Sequence, residues 1–118
     1  MTSLEAVEAR LDRILDPYRG ELEEFEIYGV PMLRRPGAHK HDWFAGVQRT
    51  DRAVKFNFLP MHGQPELLEG TSAALLKRRT GASVFKFTAI EEPLLDELES
   101  LVRRGFDSYL GRTPRRDG

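Results

Sequence analysis

The chain contains no cysteine. That single absence removes disulfide frameworks, thiolate metal sites and cysteine nucleophiles. Long apolar runs are also missing. The longest are three or four residues, such as "AALL" at 73–76, far short of the roughly 20 that a membrane-spanning helix needs. No G-x-S-x-G, Walker loop, H-E-x-x-H or G-x-G-x-x-G occurs, so no motif carries nucleophilic, phosphate-cradling or zinc-dependent chemistry. The expectation is a protein that is not an enzyme and requires no cofactor. Charge of one sign is not in excess either. Eighteen Lys and Arg face nineteen Asp and Glu, and a pI of about 6.3 argues against nucleic acid as partner, since such domains usually carry a basic balance or stripe. The first ten residues, "MTSLEAVEAR", have neither the basic nor the apolar region of a secretory signal. A cytoplasmic location without membrane attachment is expected by elimination.

What is present describes one domain. The 118 residues suit a single core, read here as a domain over 1–111 and a flexible tail over 112–118. Charge is uneven along the chain. Residues 1–30 hold eight acids and three bases, and residues 31–90 hold four acids and ten bases. An acidic first segment therefore precedes a basic middle.

Thr2 and Glu5 match a capping box for a helix over 3–16, with Leu4, Val7, Leu11, Ile14 and Leu15 as its buried stripe. Asp16-Pro17 closes it. Phe25 and Ile27 alternate with glutamates as a strand does, and Gly29 to Pro31 reads as a bend. "DWFAGVQ" and "AVKFNFLP" form a hairpin, placing Val54, Phe56 and Phe58 on one face and Lys55 and Asn57 on the other. A helix is expected over 71–79 with Gly81 as its stop, then a strand "ASVFKFT" with Lys86 facing away from two phenylalanines. Pro93 opens a last helix whose buried side is Leu94, Leu95, Leu98, Leu101, Val102, Phe106 and Tyr109. The order describes an α+β sandwich, an antiparallel sheet with the N- and C-terminal helices on one face. Its other face stays wet, carrying Lys55, Asn57, Lys86 and Trp43.

The stretch from "DWFAGV" through "VKFNFLPMHGQPELLEGTSAALLKRRTGASVFKF" to "LDELESLVRRGFDSY" resembles the YdhG-like family, bacterial proteins classed as a domain of unknown function and called frataxin-like. The resemblance rests on Leu59-Pro60-Met61, on Pro65 to Leu68, on the helix end Leu75 to Arg78, on Gly81 before an alternating Phe strand, and on "YGVP" at 28–31. It implies a frataxin-like α-β sandwich. For some members it implies a role as an iron chaperone, with iron–sulfur or haem assembly proteins as partners. Frataxins bind iron through a carboxylate ridge on the first helix and first strand. Similar in kind here are Glu5, Glu8, Asp12 and Asp16 on the helix and Glu21, Glu23, Glu24 and Glu26 approaching the strand, although Arg10 and Arg13 interrupt the helix.

Carboxylate oxygens are hard ligands, and an exposed cluster would hold ferrous iron weakly and exchangeably, as a carrier requires. The plainer reading of the same residues is a solvated helix face. His39 and His41 would share a side of a strand, but Pro36-Gly37 before them makes the segment a turn, and the loop reading is preferred. Two functions therefore stand. One is a ferrous iron carrier acting through the acidic helix. The other is a ligand- or protein-binding adaptor using the wet sheet face around Trp43, Lys55, Asn57 and Lys86, with His62 nearby. The expected assembly is a monomer or a weak homodimer.

Overall fold

A computed structural model describes residues 3–27, 29–37 and 42–109 of the chain. Helix α1 (Leu4–Leu15) is capped by Ser3, whose hydroxyl accepts from the Ala6 amide at 3.1 Å. Thr2, expected as the cap, lies outside the described residues. Val7, Leu11, Ile14 and Leu15 are buried, the stripe that three- and four-residue spacing produces. A 3-10 turn, Asp16–Tyr18, continues from α1 with Pro17 in its first turn.

Strands β1 (Glu23–Ile27) and β2 (Val30–Arg34) form the first hairpin. Here the structure corrects the sequence reading. Gly29 does turn the chain, in the left-handed region at φ 78°, but Val30 and Pro31 already belong to β2, an element the pattern did not reveal. Pro31 interrupts little, because β2 is joined to the next strand through the single pair Leu33 with Ala45. The second hairpin follows as expected, β3 (Ala45–Arg49) and β4 (Val54–Phe58).

A single helical turn, α2 (Pro60–Gly63), a 3-10 turn (Pro65–Leu68) and a second short helix, α3 (Ala73–Leu76), then follow β4. The helix expected over 71–79 is thus shorter. Ser72 caps it, accepting from the Leu75 amide at 3.2 Å. Arg79–Gly81 instead form the edge strand β5, beside β6 (Val84–Phe87). Tertiary pairing overrides helical propensity there: the Lys86 amide donates to the Arg78 carbonyl at 2.8 Å. Gly81 is therefore a strand residue, not a helix stop. The last helix, α4 (Glu92–Tyr109), has Pro93 in its first turn.

All six strands pair antiparallel in the order β1-β2-β3-β4-β6-β5. The fold is α+β. One sheet face supplies Leu33, Val47, Val54, Phe56, Phe58, Phe85 and Phe87 to a core shared with the buried residues of α1 and α4. The two helices are also joined at the surface, where Arg10 forks onto Glu92 at 2.9 Å. Among the described residues no helix is long and apolar enough to cross a membrane.

Candidate functional site

The second hairpin fixes the most distinctive polar feature of the outer sheet face. Alternation buries Val54, Phe56 and Phe58 completely and turns Lys55 and Asn57 the other way. Lys55 stands opposite Gln48 on β3 and opposite Lys86 on β6. The turn beyond is rigidly tied. The Thr50 hydroxyl donates to the Ala53 carbonyl at 3.0 Å and accepts from the Arg52 and Ala53 amides at 3.3 and 3.2 Å. A concavity of about 580 Å³ results, lined by Gln48, Arg49, Thr50, Asp51, Arg52, Lys55 and Lys86. It holds four cations and one acid. Among the described residues Arg49 pairs with Glu8 at 3.6 Å and Glu5 at 3.9 Å, both on α1. Lys55, Lys86 and Arg52 take part in no ion pair among the described residues.

The rest of that face is less wet than alternation suggested. Asn57 lies one row away and donates to the Gly46 carbonyl at 3.4 Å. Next to it, Met32 covers Gly46, so closely that a Cβ there would meet the sulfur at 2.4 Å. Phe25 pairs with Met32 and Ile27 with Val30, and the Arg34 guanidinium sits 4.3 Å over the Phe25 ring. The outer face is apolar at the β1–β2 end and basic at the β4–β6 end.

Trp43 is not on it. Trp43 and His62 instead line a separate groove of about 460 Å³ with Asp42, Leu59, Pro60, Gly63, Gln64, Ser108 and Tyr109. This groove lies where β4 ends, so along the strand it is about 13 Å from Lys55. The five residues expected to bind ligand thus divide between two places. The structure brings Lys55 and Lys86 together and leaves Asn57 beside them, whereas Trp43 and His62 belong elsewhere. Sequence reading missed Arg49 and Arg52, although "RTDR" signalled a basic turn. It had no means of finding Gln64, Ser108 and Tyr109, which meet across tens of residues.

The carboxylate ridge is held by arginines. Arg19 binds Asp16 at 2.9 Å and Asp12 at 3.2 Å, and Arg34 binds Glu23 at 2.6 Å. Arg10, expected to neutralise the helix, reaches α4 instead. Burial pushes the Asp12 carboxyl above its ordinary range, with Glu8 and Asp16 adding to the rise and Arg19 opposing it. Glu5 is 83% exposed. Glu8, Asp12 and Glu24 line one small cleft of about 180 Å³ together with Arg19. Among the described residues no three His, Asp or Glu side chains gather as a metal-holding group. His39 and His41 lie outside the described residues, as do Tyr28 and the segment 112–118.

Compared with protein-family models, with curated proteins and with solved structures, the chain matches none. The functional reading therefore rests on the residues themselves.

Proposed function

We propose that this protein is a non-enzymatic binding module whose outer sheet face takes a small multivalent anion in the concavity beside Lys55 and Lys86. One observation carries the reading. Two lysines face each other on adjacent strands with no acid between them, an arrangement that costs stability, and Arg52 adds charge of the same sign. A bound anion would offset that repulsion. A small ligand fits better than a nucleic acid, because several arginines of the other basic clusters are already engaged. Arg34 is paired with Glu23, Arg35 with Asp42 and Arg78 with Glu91, and Arg104 donates to the Leu67 carbonyl. Arg115 and Arg116 fall outside the described residues.

The test is an NMR titration with inorganic tripolyphosphate. Saturable shifts confined to residues 48–55 and 86, abolished in a Lys55→Glu/Lys86→Glu variant that stays folded, are expected. Absence of selective shifts, or shifts that survive the double change, would refute the reading.

A ferrous iron carrier is the second reading: Glu8, Asp12 and Glu24 line one cleft with Arg19, although among the described residues they do not gather closely enough to hold a metal without rearrangement. The frataxin-like, YdhG-like resemblance supports it, as does a sandwich with both terminal helices on one sheet face. Iron–sulfur or haem assembly proteins would be its partners. Iron would have to displace Arg19 from Asp12 and Asp16. Anaerobic titration with ferrous iron should then broaden amides around residues 5–24 selectively, and more strongly in Arg19→Ala. Broadening spread evenly over the surface would dismiss it.

A further inference from the structure

The groove at the end of β4 differs chemically from the basic concavity. Its walls include two half-buried aromatic side chains, Trp43 and Tyr109. Tyr109 is locked: its hydroxyl donates to the Asp42 carbonyl at 3.1 Å and accepts from the Arg35 amide at 2.9 Å. The Arg35 guanidinium lies 4.9 Å over its ring and pairs with the Asp42 carboxylate, so the charge of Asp42 is already answered. Trp43 is different. Among the described residues its ring stacks on no other and its indole N–H has no partner. A half-buried indole usually finds both an apolar contact and an acceptor, and the groove that Trp43 lines is a place where a ligand would supply them.

The polar lining is neutral overall and mixed in kind. The Ser108 hydroxyl donates to the Gln64 carbonyl oxygen, and among the described residues the Gln64 amide N–H groups have no partner. His62, exposed on the one-turn helix that Pro60 starts, adds a ring nitrogen. Among the described residues no Lys or Arg lines the groove. At about 460 Å³ it falls within the range of small-molecule sites.

We propose that this groove binds an uncharged planar heteroaromatic ring of the nucleobase class, stacked on Trp43 with its polar edge on Gln64 and His62. A stacked base gains from any aromatic platform, whereas a donor amide beside an imidazole selects a ring edge bearing acceptors. With no cation among the described lining residues, a phosphate attached to the ligand brings no advantage. The site is independent of the anion reading, since it shares no residue with the basic concavity.

The chain has one tryptophan, so a single indole N–H resonance reports on this site. Titration with adenosine should move that signal and the Gly63 and Gln64 amides saturably. His62→Ala and Gln64→Ala should each weaken binding several-fold with the rest of the spectrum unchanged. Adenosine monophosphate should bind no tighter than adenosine, and Lys55→Glu should have no effect. The proposal is overturned if adenosine, guanosine and uridine all fail to shift the indole saturably. It is equally overturned if a His62→Ala/Gln64→Ala protein binds as well as the parent, or if the phosphate strengthens binding tenfold.

Discussion

Lys55 and Lys86 are cross-strand neighbours on β4 and β6, and neither ammonium group is balanced by an acid among the described residues. A sheet selected for stability alone would place opposite charges there. Lys86→Glu converts the repulsion into attraction and should raise stability by about 0.2–1 kcal/mol. The same change should abolish tripolyphosphate binding. Urea denaturation and the NMR titration, run on one preparation, check both signs. A variant that loses stability and keeps its binding contradicts the assignment.

Gly105 in α4 is a packing requirement. A Cβ added there would meet the Phe58 ring, its Cζ lying 2.3 Å away, and Phe58 is fully buried. Gly105→Ala gains about 1 kcal/mol of helix propensity but overpacks the core, so a net loss of about 1–2 kcal/mol is expected. Phe58→Leu in the same chain should recover part of that loss. A double-mutant cycle by chemical denaturation would show the coupling.

The clasp between α1 and α4 should respond to acid. The Arg10 guanidinium holds the Glu92 carboxyl below its ordinary 4.5, chiefly through the hydrogen bond. A depressed carboxylate contributes stability above its unfolded-state value, and loses it as pH falls through the lower folded one. Glu92→Gln should therefore melt below the parent at neutral pH, with the gap closing as the pH falls through and below the ordinary carboxyl range. A gap that is constant across that range would show that the ion pair contributes nothing.

Ser72 joins two elements. Its hydroxyl caps α3, and its amide and hydroxyl both donate to Glu97 of α4 at 2.6 Å. Ser72→Ala should cost about 1 kcal/mol and speed hydrogen exchange at Leu75 and Leu76. Glu97→Gln should have a smaller effect, because an amide oxygen still accepts.

Much of the fold was legible from the chain. The stripes of α1 and α4 and the alternation Val54-Phe56-Phe58 depend on local periodicity, which each segment carries in its own residues. Strand β2 was not legible, since Gly29-Val30-Pro31 looks like a bend until β1 is present to pair with it. The expected helix over 71–79 failed for a related reason. Its second half contains good helix formers, but β6 offers a backbone partner to Arg78 and Arg79. As for sites, the sequence alone determined that Lys55, Asn57 and Lys86 turn away from the core, and that no cysteine chemistry is possible. Only the tertiary structure decided that Lys55 meets Lys86, that Arg19 and Arg34 hold the acidic ridge, and that Trp43 joins Tyr109 at the far end of β4. Periodicity fixes which way a side chain points relative to its own strand or helix. Which neighbours it meets depends on how the strands order and the helices dock, and those contacts are made between residues far apart in the chain.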